Sequence, residues 1–240
     1  MMLLAIATAL ASVEDRFKEA NVALAAGELS AAEAGYRAVI EEGYGSGDIW
    51  YNLGNVLYRQ ERPAEAVLAW RTAAALLPRD PDIEANLDFA RRGLLDGLIA
   101  PDPHPWFAPW QAAMTPDEGI WLGSALMGLG LIAVAARRRR PHLPWVPVGV
   151  GTSLLGALVA GGGVAEANLP PVGVLLVPEA TATSDLGGGV DLFTLHAGAE
   201  VQTAEDEAGR TLVVLPDGRK GWLPSEALGL VDPSRPGPVL

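Results

Sequence analysis

Arg137, Arg138, Arg139 and Arg140 stand together between two long apolar runs, and this arrangement limits the folds open to the chain more than any other feature. Residues 119–136 form a run of 18 without a charged side chain, and residues 146–165 form a second run of 20. At about 1.5 Å per helical residue, the first comes close to crossing a hydrocarbon core of ~30 Å and the second crosses it. Lys and Arg accumulate in cytoplasmic loops, so the four arginines predict a two-helix hairpin with its tip inside. The chain before and after the hairpin is then expected on the outer side of one membrane. A soluble protein with an exposed basic loop is the alternative. It would have to bury both runs in domains with little else to cover them.

The 240 residues, half of them hydrophobic, accommodate either one soluble domain or two small ones plus membrane segments. Charge favours the second. Residues 13–118 carry 18 acidic against 9 basic side chains, and residues 166–240 carry 11 against 4. Acidic flanks of this kind argue against nucleic acid, which needs a basic footprint. With no cysteine in the chain, disulfide frameworks, thiol chemistry and cysteine-based metal sites are excluded. The N-terminus, residues 1–11, is a short apolar stretch ending in Ala9-x-Ala11 without a positive leader. It reads as a signal peptide or short anchor, or else as the first turns of a buried helix.

Residues 13–80 repeat at an interval of 34: Ala20, Ala32, Tyr36 and Val39 align with Gly54, Ala66, Trp70 and Ala73. Phe17 falls opposite Tyr51, and Asn21 opposite Asn55. Period and pattern resemble the tetratricopeptide repeat, a helix–turn–helix unit. In the second copy Trp50, Leu53, Gly54, Leu57, Ala66, Trp70, Ala73 and Pro78 sit at the family's signature spacings, whereas the first copy has Arg16 and Glu19 at two apolar positions. Asn86-Leu87 repeats Asn52-Leu53 at the same interval of 34. A third helix is therefore expected from near Asp82 to about Leu98, capping an array over residues 13–98. Repeats of this kind bind peptides on the face lined by their first helices, where Asn21, Asn52, Asn55 and Asn86 are expected. Some members grip a C-terminal carboxylate there with basic residues. Phe17, Asp82 and Asn86 occupy those positions here, so no such clamp is expected.

Residues 99–116 form a linker rich in Pro and aromatics, with Trp106, Phe107 and Trp110 suited to the headgroup level of a membrane. Thr115-Pro116-Asp117-Glu118 reads as a helix start, with Thr as N-cap and Pro at the first position. Two spanning helices, 117–136 and 146–165, are then separated by a cytoplasmic loop at 137–145. Gly149, Ser153, Ala157 and Gly161 recur every four residues along the second, and Ser124 and Gly128 offer a matching surface on the first. No ionisable residue lies within either run, which suits an anchor and not an ion path.

After the second run the texture changes to short β-type segments, at 172–177, 190–195, 200–205, 211–215 and 221–223. Asp217-Gly218 is a hairpin turn signal between the last two. Five short strands over residues 172–231 suggest a small barrel, followed by a tail at 232–240. Residues 193–198 (Phe-Thr-Leu-His-Ala-Gly), 215–219 (Leu-Pro-Asp-Gly-Arg) and 221–224 (Gly-Trp-Leu-Pro) resemble the bacterial SH3 domain. Its members often bind cell-wall peptides or mediate contacts. Phe193 and Trp222 are the aromatics of this module, Trp222 either packing the barrel or serving as a ligand platform. Residues 181–185 (Thr-Ala-Thr-Ser-Asp) replace the family's Arg-Ser stretch.

His104, His142 and His196 fall in the linker, the basic loop and the β module. They do not form one metal site, and no phosphate loop or nucleophile elbow occurs. The sequence implies no catalytic residue, no cofactor and no metal. An all-α tetratricopeptide-repeat array, a two-helix transmembrane hairpin and a small all-β SH3-like barrel follow in one order. That order resembles the BatE-type proteins of the Bacteroides aerotolerance group. The resemblance implies a non-enzymatic, membrane-anchored scaffold on the periplasmic side of the inner membrane. Its implied partners are membrane-anchored von Willebrand factor A-type proteins or an associated MoxR-type AAA+ ATPase. A cell-wall (peptidoglycan) binder or sensor acting through the β module is the alternative. An assembly chaperone, which also joins repeats to membrane helices, is a third.

Overall fold

The computed structural model describes residues 2–96, 114–137, 144–167 and 170–231. They fall into two compact units. One is built from chain on both sides of the apolar runs, residues 1–101 together with 170–240, and the other from residues 102–169.

The first unit begins with five helices: α1 (Met2–Ala26), α2 (Leu29–Glu41), α3 (Gly47–Arg59), α4 (Pro63–Leu76) and α5 (Pro81–Arg91). Four of the pairs that the 34-residue interval aligns are buried on both sides, Ala20 with Gly54 among them. Tyr36 and Trp70 are both enclosed, as are Ala32 and Ala66, and Val39 and Ala73. Size is decisive at two places. A Cβ on Gly54 would lie 2.5 Å from the Trp70 indole, and one on Gly35 would lie 2.8 Å from the Ala20 methyl. The turns repeat as well. Gly27 (φ 80°) and Glu61 (φ 63°), 34 residues apart, both take the left-handed conformation between paired helices, at a cost to Glu61 that glycine avoids. Arg16, which breaks the apolar pattern of the first copy, is ion-paired with Glu42 just beyond α2. Pro78 lies just past the end of α4, where its ring and missing N–H cannot continue a helix. The helix expected from near Asp82 is α5. Asp80 caps it by accepting from the Asp82 N–H at 2.9 Å, and it ends at Arg91; Leu98 lies outside the described residues. On α1, helix continues through Ala11 without a break.

The same unit ends in a seven-stranded antiparallel sheet: β1 (Val172–Leu175), β2 (Glu179–Thr183), β3 (Asp191–His196), β4 (Glu200–Glu207), β5 (Arg210–Val214), β6 (Lys220–Pro224) and β7 (Leu228–Leu230). The strands lie in the order β3-β2-β6-β5-β4-β1-β7. The sheet holds two strands more than the expected five, and it is not closed into a barrel, because β3 and β7 stand at its two ends. β2 and β7 are the additions. Leu175, Ala182, Leu195, Val201, Val213, Leu215 and Leu223 form its buried cluster. The β5–β6 turn sits at Asp217-Gly218, as its sequence signals. The Gly218 N–H donates to Leu215 O at 2.9 Å and Gly218 takes φ 84°. This is the pattern of a Pro-initiated type I turn closed by a left-handed glycine.

Sheet and helices share one core. Val174 belongs to the same buried cluster as Leu53, Trp70 and Leu87, and Leu176 and Val231 pack against it. Leu94 fills the space beside Gly198, and Leu68 the space beside Gly229. At the centre of this contact Glu200 is fully buried, accepting from Arg91 Nε at 2.8 Å and pairing with Arg71 as well. Asp96 takes the His196 backbone N–H at 2.6 Å and lies 3.0 Å from its Nδ1. The sheet therefore packs mainly on α4, through β1 and β7, and the chain at the end of α5 meets it through Arg91, Leu94 and Asp96.

The second unit contains α6 (Pro116–Ala136) and α7 (Trp145–Ala167), both long and apolar enough to cross a membrane by length and composition. Thr115 and Glu118 form the reciprocal cap their spacing signals, Glu118 N–H to Thr115 Oγ1 at 3.3 Å and Thr115 N–H to Glu118 Oε2 at 2.8 Å. The seam between the helices differs from the stripe expected at every fourth residue. A Cβ on Gly156 would lie 2.5 Å from Gly123 O, and one on Gly149 would lie 2.5 Å from Gly130 O. Gly119 faces Gly163, and Ser153 donates to Met127 O at 3.3 Å. A Cβ on Gly128 or Gly161 would meet nothing of the other helix within 4 Å, and Ser124 and Ala157 are exposed. Gly149, Gly156 and Gly163 are spaced by seven, as are Gly123 and Gly130. That heptad spacing keeps one seam facing its partner along both helices, whereas a four-residue interval drifts around the helix.

Candidate partner-binding face

The first helices of the array, α1, α3 and α5, are joined by side-chain rungs that obey one rule. Asn52 Nδ2 donates to Asn21 Oδ1 at 3.2 Å, and Asn86 Nδ2 donates to Asn55 Oδ1 at 2.9 Å. Tyr58 meets Phe89 edge-on, with ring centroids 5.8 Å apart. Each pair is separated by 31 residues. That number is the 34-residue repeat less about one helical turn, which is the offset at which one first helix faces the next.

The asparagines are further fixed from behind. Tyr36 Oη donates to Asn21 Oδ1 at 2.7 Å, and Trp70 Nε1 donates to Asn55 Oδ1 at 3.2 Å. An indole N–H can only donate, so the Asn55 oxygen must face Trp70, and the amide that Asn86 presents to the same oxygen is fixed in turn. The four candidate residues thus come together as two half-buried pairs, not as one cluster. Their amides tie each first helix to the next and to the second helix of its own repeat. Burial pushes the Tyr36 phenol up to about 12.

One turn beyond Asn55 and Asn86, the same face turns aromatic and basic. Phe89 is 57% exposed, and the Arg92 guanidinium lies 5.9 Å from its ring centroid. Tyr58 stands between Phe89 and Trp70, 5.6 Å from the latter. Arg59 donates to Leu24 O at 3.4 Å, satisfying a carbonyl in the last turn of α1. Tyr58, Phe89, Arg59 and Arg92 were not among the candidates read from the sequence. The signal was there, since Tyr58 and Phe89 follow Asn55 and Asn86 by three residues each and keep the separation of 31.

The second helices carry a separate ionic layer. Arg62 bonds Glu65 at 2.6 Å and Glu33 at 2.9 Å, and Arg37 bonds Glu33 at 2.8 Å. Burial alone would raise the Glu33 carboxyl. Bonds from Arg37, Arg62 and Gln60, with the Arg62 charge, hold it below the ordinary carboxylate range.

In the sheet, Phe193 packs on the buried cluster, and Gly221 is required beneath it, since a Cβ there would lie 3.2 Å from the ring and 2.8 Å from the Ala182 methyl. Trp222 is half-buried and alternates with buried Gly221 and Leu223, so it stands on the opposite side of β6 from the core. Arg210 spans that side, donating to Thr183 Oγ1 at 2.8 Å and to Trp222 O at 2.9 Å. Arg137 ends α6, while Arg138, Arg139, Arg140, His104, His142, Trp106, Phe107 and Trp110 lie outside the described residues. Among the described residues no three His, Asp or Glu side chains converge as a metal site.

No curated protein matches the chain. Residues 17–82 match the tetratricopeptide repeat family, from within α1 to the first turn of α5. That family generally mediates protein–protein interaction, and its fold is typically a non-catalytic scaffold. The match and the five helices together support a helical repeat array of tetratricopeptide type in this part of the chain.

Proposed function

We propose that the protein is a non-enzymatic scaffold anchored in the bacterial inner membrane by α6 and α7, with the repeat array and the sheet on the periplasmic side. One observation carries the reading. Glu200, after the hairpin, is buried between Arg71 and Arg91, before it. Chain on both sides of the apolar runs builds one unit, so a spanning segment between them must return to the side it left. Two passes satisfy that requirement and one does not. The arginine block gives the direction, tip inside. The first-helix face of the array is the protein-binding surface, and the order of modules supports partners of the von Willebrand factor A or AAA+ type in a Bat/MoxR-like stress-tolerance or envelope complex. Reporter fusions test the arrangement: alkaline phosphatase placed after Leu240 is active, and inactive when placed within residues 137–140.

A second reading rests on Trp222. In this reading the sheet is an SH3-like module, opened and docked on the repeats. Its half-buried Trp222 beside Arg210, on the side away from the core, is a platform for cell-wall peptide. Sedimentation of the detergent-solubilised full chain with purified cell wall, with and without Trp222→Ala, separates this reading from the first.

A further inference from the structure

We infer that the Tyr58–Phe89 rung, with Arg59 and Arg92 beside it, is a docking site for an acidic peptide segment that carries an aromatic or large aliphatic side chain. The inference rests on the reading that the first-helix face binds protein, and names what that face takes.

The argument begins with charge pairing. Before the apolar runs, Arg16, Lys18, Arg37, Arg62, Arg71 and Arg91 each have a carboxylate partner. Arg59 and Arg92 have none among the described residues: one bonds a backbone carbonyl and the other lies over a ring. Acidic residues outnumber basic ones two to one in residues 13–118, so two guanidinium groups without carboxylates at the same end of neighbouring first helices are unusual. Attraction to the helix C-termini accounts for a basic residue at the end of α3 and of α5. It does not account for the apolar ring exposed beside them. Phe89 leaves 57% of its surface to solvent, while Tyr58 holds its edge and Arg92 approaches it. A partly covered aromatic, held at its edge by Tyr58 and approached by one guanidinium, has the make-up of an interface anchor.

The opposite end of the same helices has the opposite charge. Asp48 and Asp82, 34 residues apart, lie in the first turns of α3 and α5. A bound segment is therefore oriented, its carboxylates drawn to the Arg59 and Arg92 end and repelled from the Asp48 and Asp82 end. Between the ends, Asn52 and Asn86 each donate through Nδ2 to a rung, and their amide oxygens are the groups that would accept from backbone N–H groups of a bound segment. This differs from a terminal-carboxylate clamp, which would place basic residues where Asp82 and Asn86 stand.

A phage-displayed library of random 12-residue peptides, panned on the full-length protein in detergent micelles, tests the inference. The probes are the enriched peptides, measured by fluorescence anisotropy against the parent, Phe89→Ala, Arg92→Glu, Arg59→Glu and Asn52→Ala/Asn86→Ala proteins. The expected result is enrichment of Asp or Glu adjoining Phe, Trp or Leu, with binding weakened at least tenfold by Phe89→Ala and by Arg92→Glu. Of the five positions, Arg59, Phe89 and Arg92 are exposed and Asn52 and Asn86 half-buried, and a thermal transition retained in each variant confirms that it folds. Peptides that depend on Asn52 and Asn86 but bind the Arg92→Glu protein equally well overturn the inference and leave the protein-binding reading standing. Recovery of no peptide sensitive to any of these substitutions overturns both.

Discussion

Arg91 donates to Glu200 at 2.8 Å across 109 residues of chain that include the whole apolar hairpin. Arg71 completes the clamp from a second helix, and Asp88 holds Arg91 from its outer side at 3.2 Å. Burying a carboxylate completely is favourable only when its lone pairs are filled by well-placed donors, and here two guanidinium groups fill them. A buried ion pair contributes less to stability than to register. It fixes which part of the sheet meets which part of the array.

Removing the carboxylate strands two guanidinium groups in that contact. Glu200→Ala should destabilise the full chain in detergent by about 3–5 kcal/mol, whereas a triple replacement by Met at 71 and 91 and Leu at 200 should recover most of the loss. Denaturant midpoints of the three proteins decide the point. A small loss in the single variant would mean that the clamp is not what joins sheet to helices.

The repeated left-handed turn gives a prediction free of side-chain contacts. Glu61→Gly should raise stability by about 1 kcal/mol, since the residue already stands at φ 63°. Gly27→Ala should lower it by a similar amount, because the nearest atom to a new Cβ, Arg59 Nη2, is 3.9 Å away and only the backbone is strained. Equal midpoints for parent and both variants would contradict the equivalence of the two turns.

Two groups give the array a pH dependence of opposite sense. The Tyr36 phenol rises from 10.0 to about 12 through burial. A raised acid of this kind contributes stability that is whole below pH 10 and is lost as the pH climbs towards 12, about 2–3 kcal/mol in all. Glu33 is lowered from 4.5, so its contribution is present above that value and is lost as the pH falls through its depressed one. Denaturation midpoints measured from pH 3 to pH 12 should fall at both ends. Tyr36→Phe should flatten the alkaline fall, and Glu33→Gln the acid one.

The hairpin seam is testable because the chain has no cysteine of its own. Cysteines placed at Gly119 and Gly163, where a new Cβ would sit 3.6 Å from the opposite Cα, should cross-link readily under oxidation. Gly156→Val should cut the yield several-fold, because its side chain would enter the backbone of α6 at Gly123 and Met127. Gly161→Val should leave it unchanged, since nothing lies within 4 Å of that position.

The helical half was legible because a repeat writes the same contacts twice. Ala32 and Ala66, or Tyr36 and Trp70, need no partner from elsewhere to declare their role. The hairpin seam was visible as a surplus of small residues, but its phase was not. Gly149 and Ser153 fit both a four-residue and a heptad interval, and only the facing glycines decide between them. β2 carries Glu179, two alanines and two threonines, too little apolar bulk to signal a strand, and Ala182 is buried because Phe193 and Gly221 pack around it. Least legible was the docking of sheet on array. Arg71, Arg91 and Glu200 look like surface charges until the fold brings them together, and no local pattern links residues more than a hundred positions apart.

The central claim is that chain on both sides of the hairpin folds as one unit on the outer face of a membrane the hairpin spans. Single cysteines at Ser30 in the array, Ala204 in the sheet and Arg139 in the basic block test it most directly, each probed in spheroplasts with a membrane-impermeant maleimide. Ser30 and Ala204 are exposed. The account predicts that Ser30→Cys and Ala204→Cys label from outside at equal rates, while Arg139→Cys labels only after the membrane is permeabilised. Labelling of the first two from opposite sides, or of Arg139→Cys from outside, would contradict it.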